Sequence, residues 1–193
     1  MNLSNIYKIS SNGLNLCPID DEMLDRRIIF LTEDVNPETM DHLLKKLMYL
    51  EMSNPGKEIT LYINSPGGEC LSGLAVLDYI HTMTSPIRTV CTGCAASMGA
   101  ILFLAGQKRE MLRHTRLMIH DPSTGGNLSG MKPHEIENTL SMLRDMQTLL
   151  IDIISDASGK SKEEIAEITK NDTYFNLEEA LDFGLATGMY TRL

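Results

Sequence analysis

The chain has 193 residues, of which 42% are hydrophobic, 22% are charged and 5% are aromatic. A chain of this length buries roughly 70% of its unfolded surface, so we expect one domain that needs neither disulfides nor a structural metal. Seventeen basic and 26 acidic residues give a net charge of −9, which argues against a nucleic-acid interface and a polybasic membrane patch. Apolar runs long enough to span a bilayer and signal-peptide features are absent from the sequence, so we expect a cytoplasmic protein without membrane contact.

From about Arg27 onward, short β-branched runs alternate with helical periods, which predicts βαβ units and a mostly parallel sheet. Asn36 and Pro37 supply an N-cap and a proline at the first helical position after the first strand. In chain order, we predict strands at 27–31, 58–64, 86–91, 116–120 and 172–176, and helices at 37–53, 71–83, 98–105, 133–158, from 161 and at 177–183.

The predicted helix 133–158 is long for a domain of this size, and it follows a Gly-, Ser- and Asn-rich loop at 123–133. Its main apolar stripe is expected to pack on its own domain, whereas apolar residues off that stripe would suit a partner subunit. The stripe contains Ile136, Leu140, Leu143, Met146, Leu149, Leu150 and Ile153, and the residues off it include Met142, Ile151 and Ile154.

Four cysteines are present: Cys17, Cys70, Cys91 and Cys94. The last two form a C-x-x-C pair inside an apolar, β-branched stretch without a second Cys/His pair beside it. A redox or metal role remains an alternative, but we expect buried reduced thiols, and we interpret Cys70 as structural.

Two glycine-rich turns, 65–68 and 93–100, follow predicted strands. Ligands in parallel sheets bind beyond the carboxyl ends of strands, where backbone N–H groups stay unpaired. Ser97 lies in the second turn among small residues that allow close approach of a substrate, as in a nucleophile elbow. A simple N-cap role for Ser97 fits the same position.

A serine nucleophile needs a base and an orienting group. His120 ends an apolar strand and is expected to emerge beside Ser97, although a strand-end histidine can also be a polar terminator. Asp172 and Asp121 both remain candidates for the third member on the residues alone. The other histidines lie in helical or polar segments: His42, His81, His114 and His134.

Four segments resemble the motifs of the Clp protease proteolytic subunit family, ClpP, in the order that the family shows. They are Tyr-Ile-Asn-Ser-Pro-Gly-Gly at 62–68, Ala-Ala-Ser-Met-Gly-Ala at 95–100, Met-Ile-His-x-Pro at 118–122 and Glu-Ala-x-x-Phe-Gly-Leu at 179–185. The resemblance covers the chain from about residue 27 to its end. It implies a ClpP/crotonase-like α/β fold of repeated βαβ units with a protruding long handle helix.

The resemblance also implies the activity and the site. The family has a Ser-His-Asp catalytic triad, which falls on Ser97, His120 and Asp172 here, and an oxyanion hole formed by the backbone N–H groups of Gly68 and Met98. It implies an N-terminal axial segment at 1–26 and one peptidase domain at 27–193, with the handle at about 123–158. We therefore expect a serine-type endopeptidase that binds no cofactor.

The family's assembly implies the partners. The handle interlocks two heptameric rings into a tetradecamer with a closed chamber, and an AAA+ unfoldase of the ClpX, ClpA or ClpC type delivers unfolded substrates. ATP is used by that unfoldase, since this chain has no P-loop. We expect a homo-oligomer that serves protein quality control.

The chain departs from the family pattern at several places, which favours a divergent second paralogue that works best in a mixed assembly. The departures are the absence of the axial-loop pattern at 11–17, Thr82 in place of an aromatic residue, Asp121 in place of Gln, a longer loop at 125–126 and Asn171 in place of Arg. The alternative function is a catalytically weak structural or regulatory paralogue. A crotonase-type acyl-CoA enzyme is disfavoured, because it would need carboxylates where Ser97 and His120 stand.

Overall fold

The computed structural model describes residues 5–10, 13–126 and 129–191. Residues 1–4 and 11–12 of the predicted axial segment and residues 127–128 of the predicted handle loop lie outside the described residues. The strands are β1 Asn5–Ser10, β2 Gly13–Pro18, β3 Ile28–Leu31, β4 Ile59–Ser65, β5 Ile87–Ala96, β6 Lys108–Met111, β7 Arg116–Ile119, β8 Thr173–Phe175 and β9 Gly188–Met189. The helices are α1 Ile19–Asp25, α2 Pro37–Ser53, α3 Cys70–Thr82, α4 Met98–Leu104, α5 Pro133–Ser158, α6 Lys162–Ile168 and α7 Leu177–Phe183.

The described strands form one main sheet and one hairpin. The main sheet runs β3-β4-β5-β6-β9 with every pair parallel, and β1 and β2 form the separate antiparallel hairpin. Strand β5 pairs first with β6 through 88–91 and then with β7 through 94–96, and β8 joins β7 antiparallel. The predicted α/β class with a mostly parallel sheet is confirmed.

Helix α2 shows how local sequence places an element. The Asn36 side chain accepts hydrogen bonds from the backbone N–H groups of Glu38 and Thr39, and Pro37 occupies the first turn. The apolar face of α2 is buried in the core, against α3 and β3, through Met40, Leu43, Leu47 and Leu50. Capping and a helical apolar period therefore fix this helix before any tertiary contact is considered.

Several strands were not predicted. Strand β6, Lys-Arg-Glu-Met, has only one buried residue, and β9 has two residues, so neither carries the alternation that marks a strand. Strand β5 is also longer than the predicted 86–91, because β7 pairs with its small residues from Cys94 to Ala96. These pairings are formed with segments distant in sequence and leave little local signal.

Carbonyl groups near the ends of several helices accept hydrogen bonds from one half-buried cation, Arg109. The Arg109 guanidinium donates to the carbonyls of Gly106, Ala157, Gly184 and Leu185, near the ends of α4, α5 and α7. Burial lowers the pKa of Arg109. Helix C-termini leave carbonyls without intrahelical partners, so Arg109 fastens three helices to the edge of the sheet.

The sequence interpretation of helix α5 was wrong in part. Ile154 is 2% exposed and belongs to the core, and Ile151 packs against the core. Neither side chain is therefore available to contact a partner subunit. Apolar residues from the stripe expected to pack internally are instead exposed: Ile136, Leu140 and Leu149. Met142 is exposed as predicted, at 70%. Ile136 and Leu140 are uncovered because only the C-terminal half of α5 lies against the domain, and Leu149 lies on the side of that half that faces away from the core.

The four cysteines are free thiols. Cys91 is buried as predicted, whereas Cys17, Cys70 and Cys94 are partly exposed, so burial was overestimated for these three. Within the described ranges there is no group of three His, Cys, Asp or Glu residues that could hold a metal ion. No helix in the same ranges has the length and apolarity needed to cross a membrane.

Candidate active site

Ser97 lies at the turn between β5 and α4 in a strained backbone conformation. Its φ of +54° and ψ of −124° are unusual for a residue with a side chain. The Ser97 N–H donates to Met118 O, and the Ser97 carbonyl accepts from Ala100 N–H, which fixes the turn between strand and helix. The hydroxyl makes no capping hydrogen bond to α4. Ser97 therefore stands at the N-cap position without using its side chain as a cap.

His120 follows directly after β7, which is the neighbour of β5 in the sheet. The register that places Ala96 opposite Met118 brings the next residues of both segments together at the carboxyl edge. His120 Nε2 lies 2.8 Å from Ser97 Oγ, and the imidazole side chain is 25% exposed. The tautomer that accepts the Ser97 proton at Nε2 carries its own proton on Nδ1.

Asp172 reaches the other side of the imidazole ring. Strand β8 pairs antiparallel with β7 so that Thr173 lies opposite Ile119, and the preceding residue then faces His120. Asp172 Oδ1 lies 3.3 Å from His120 Nδ1, and the Asp172 side chain is 62% exposed. Asp121, the other candidate from the sequence, instead accepts a hydrogen bond from Gln147 on α5. The structure thus brings Ser97, His120 and Asp172 together in one chain of contacts.

Two backbone N–H groups near Ser97 have no acceptor among the described residues. Val35 N–H donates to Gly67 O and Glu69 N–H donates to Val35 O, so the Gly68 N–H between them points away from this pairing. Met98 N–H is the first of α4 and has no intrahelical acceptor. Both N–H groups are therefore free to bind an oxyanion beside Ser97.

Glycines bring the two turns together. A Cβ at Gly67 would lie 2.5 Å from Ala96 O and 2.8 Å from Met98 N, so a larger residue would push the turn after β4 away from Ser97. Gly68 has a φ of +147°, and a Cβ there would collide with the Val35 carbonyl. The close approach of the Ser97 turn therefore requires glycine at 67, and the close approach of the Val35 backbone requires it at 68.

A cleft of about 180 Å³ opens beside Ser97. Its walls are mostly apolar and include residues of α4 and α5, so it suits an apolar side chain of a bound peptide. It is lined by Gly68, Cys70, Ser97, Met98, Ile101, Ile119, His120, Pro122, Ser123, Leu150 and Ile154. The sequence did not indicate the contribution of Leu150 and Ile154, because no local pattern shows which turn of α5 passes the site. Cys70, interpreted as structural, also lines this cleft, and burial raises the pKa of its thiol.

The similarity of the chain to known proteins agrees with the geometry of the site. The Clp protease family model matches residues 11–192. The chain belongs to the Clp protease family. This is a family of serine-type peptidases, and the α/β arrangement of the chain is consistent with the ClpP fold.

Curated relatives carry the same family name. The chain is 41% identical to the ATP-dependent Clp protease proteolytic subunit 1 of Chlamydia abortus, over 89% of this chain and 90% of the relative. It is 40% identical to the proteins of the same name from Chlamydia caviae and Chlamydia trachomatis, over the same shares.

One departure from the Clp protease family pattern, Thr82, lies away from the cleft, and so does the matching residue Tyr62. Thr82 donates from its hydroxyl to the Tyr79 carbonyl of its own helix, and its side chain is exposed. Tyr62, which the family retains, shares a hydrogen bond of 2.8 Å with the hydroxyl of Tyr190, and burial raises the pKa of Tyr62. These residues leave the contacts among Ser97, His120 and Asp172 untouched.

Proposed function

We propose that this chain is the proteolytic subunit of a self-compartmentalising serine endopeptidase that degrades unfolded polypeptides delivered by an AAA+ unfoldase. The observation that carries the proposal is the 2.8 Å contact between His120 Nε2 and Ser97 Oγ at a strained strand-to-helix turn. A general base within hydrogen-bond distance of a nucleophile is what covalent catalysis requires.

The proposed mechanism is acyl transfer through Ser97. Ser97 Oγ attacks the carbonyl carbon of the scissile peptide while His120 Nε2 takes the hydroxyl proton, and Asp172 stabilises the resulting imidazolium. The N–H groups of Gly68 and Met98 donate to the oxyanion, and each is worth roughly 3 kcal/mol in the barrier. His120 then gives the proton to the leaving amine, and the C–N bond breaks to leave an acyl-enzyme. A water molecule, deprotonated by His120, hydrolyses the ester and restores Ser97.

The same proposal includes the assembly. Stacked heptameric rings would enclose Ser97 in a chamber, so that folded cytoplasmic proteins cannot reach it. The exposed apolar residues on the N-terminal half of α5 support this, because they are unsuited to permanent contact with water. The subunit itself binds no cofactor, and the partner unfoldase, of the ClpX, ClpA or ClpC type, uses ATP for unfolding. Its role would be protein quality control in the cytoplasm.

A second candidate function is a catalytically weak paralogue that is active only in a mixed assembly with a conventional subunit. The observation in its favour is the exposed Asp172 carboxylate, which meets His120 at 3.3 Å, longer than a typical charge-assisted hydrogen bond of about 2.8 Å. The relatives named above are numbered as subunit 1. Mixing the purified chain with a conventional ClpP and measuring co-assembly and peptidase rate tests this candidate. The absence of both co-assembly and a change in rate would contradict it.

Intact-mass analysis after treatment with a fluorophosphonate tests the main proposal. The reagent forms one O–P bond to an activated serine, fluoride leaves and the base takes the hydroxyl proton. We expect a single adduct on the wild-type chain and none on Ser97→Ala. Ser123→Ala is the matched control, because Ser123 lines the same cleft, and it should keep the adduct. An adduct that survives Ser97→Ala, or no adduct on any of the three proteins, would contradict an aligned Ser97 in the chain by itself.

A further inference from the structure

Helix α5 is tied to the residue after His120 by one side-chain hydrogen bond. Gln147 Nε2 donates to Asp121 Oδ2 over 2.7 Å. Gln147 lies one turn before Leu150 and two turns before Ile154, which line the cleft. The bond therefore joins the wall of the cleft to the neighbour of the proposed base.

The backbone of Asp121 in turn holds the loop that carries Asp172. Asp121 N–H donates to the carbonyl of Thr169 over 2.6 Å, and Thr169 is itself buried. On the other side of His120, Ile119 pairs with Thr173. The loop from 169 to 173 is thus fixed at both ends by the two residues that flank His120, so its position over the imidazole ring follows that of Asp121.

Asp172 depends on this loop because its own carboxylate is weakly held. The side chain is 62% exposed, and within the described ranges the only partner found for it is His120, at 3.3 Å. A shift of the loop by less than about 1 Å would break or tighten this contact.

The Asp121 carboxylate would be unfavourable for stability if Asp121 had only a packing role. Its Oδ1 is buried without a hydrogen-bond partner in the described part of the chain. A buried acceptor without a partner is destabilising, and such local costs are concentrated at functional sites.

We propose that Asp121 and Gln147 are a positioning pair that holds Asp172 in contact with His120, so that the seating of helix α5 sets the alignment of the triad. The inference rests on the proposed peptidase function. Neither residue touches the substrate. Each acts through the loop at 169–173.

Removal of the donor is the first test. Gln147→Ala should lower the rate of Ser97 modification by a fluorophosphonate, and kcat for a short peptide substrate, on the order of tenfold. KM should change much less, because alignment of the triad matters in the transition state and not in substrate binding. Thr148→Ala is the control, since it truncates an exposed side chain on the same turn of α5, and it should keep both rates.

A double-mutant cycle separates positioning from general stability. Asp121→Ala should be as slow as Gln147→Ala, and the double variant should be no slower than either, because both remove one bond. Asp121→Asn keeps an acceptor oxygen for Gln147 and should recover most of the rate. Additive losses, or an Asp121→Asn variant as slow as Asp121→Ala with an unchanged thermal midpoint, would contradict the pair.

Crystal structures of the wild type and Gln147→Ala provide a readout that is independent of activity. The distance from His120 Nδ1 to Asp172 should lengthen beyond hydrogen-bond range in the variant. If the wild type and Gln147→Ala are labelled at the same rate, the positioning role is overturned and the peptidase function still stands. An unlabelled wild type would contradict an aligned Ser97 in the chain by itself, and the two crystal structures would then decide the positioning role alone.

Discussion

Ser97 combines a strained backbone with a hydroxyl that contacts His120 instead of capping α4. A non-glycine residue at positive φ costs about 1–3 kcal/mol, and the hydrogen bonds of its own N–H and carbonyl groups hold it in place. The strain turns Oγ toward His120 instead of toward the first turn of α4. Chemistry and local stability are therefore in conflict at this residue, as in nucleophile elbows generally.

The contact between the two glycine-rich turns leads to a prediction at the same scale. Gly67→Ala should abolish fluorophosphonate labelling and lower the free energy of unfolding by about 2 kcal/mol or more, because the new Cβ would lie 2.5 Å from Ala96 O at a φ of +90°. Labelling and urea denaturation measure the two effects.

Gly125→Ala is the control for this substitution. Gly125 has open space around its ideal Cβ, so both labelling and stability should stay near wild type. A Gly67→Ala protein that is labelled at the wild-type rate would show that the two turns need not touch for Ser97 to react.

At the scale of elements, the end of α2 is joined to the turn before β5 by one carboxylate. Glu51 accepts hydrogen bonds from Ser85 N–H and from the N–H and hydroxyl of Thr84. These bonds lower the pKa of Glu51 from its ordinary value of 4.5 to about 2. The ionised form is therefore favoured more strongly in the folded chain than in the unfolded chain.

The sign of the pH effect follows from this shift. The stabilisation by Glu51 is fully present above pH 4.5 and is lost as the pH falls toward 2, because the unfolded chain takes up the proton first. Glu51→Gln should lower the free energy of unfolding at pH 7 by about 1 kcal/mol, since the site is partly exposed. The difference from wild type should shrink as the pH falls from 5 to 2.

Denaturation midpoints measured at several pH values check this prediction. Glu137→Gln removes an exposed carboxylate of α5 and serves as the control, with little change at any pH. A constant gap between Glu51→Gln and the wild type from pH 7 down to pH 2 would contradict the stabilising role of the ionised carboxylate.

For the whole molecule, the N-terminal half of α5 leaves apolar side chains uncovered on two sides of the helix. Ile136 and Leu140 share one face, at 39% and 45% exposure, and Met142 lies on another, at 70%. A helix that is apolar on more than one face is stable when it is enclosed by partners. This half of α5 is therefore suited to contact another subunit.

Leu140→Glu should reduce the size of the assembly. A carboxylate at the centre of an apolar contact is costly to bury, so the mass measured by light scattering should fall, which for the proposed stacked rings means the mass of a single ring or less. Met52→Glu is the control, because Met52 is a 78% exposed apolar residue on α2, outside this half of α5, and it should keep the wild-type mass. An unchanged mass for Leu140→Glu would exclude this face of α5 from the proposed contact between rings.

The sequence was sufficient to predict those structural features whose determinants are local. The Asn36 cap, the apolar period of α2, the helix at 133–158 and the strand-turn-helix around Ser97 all follow from residues close to one another in the chain. Neighbouring residues set backbone conformation and capping directly, so these features survive without tertiary information.

Only the tertiary structure decided the features that depend on pairing between distant segments. The residues alone left Asp172 and Asp121 open, and the antiparallel register of β8 against β7 placed Asp172 at His120. Tertiary contacts likewise decide which half of α5 is covered. Strands β6 and β9 exist because they pair with each other, and β6 also pairs with β5. Periodicity shows which face of an element is apolar, but it does not show which partner the face meets, because that depends on contacts far apart in sequence.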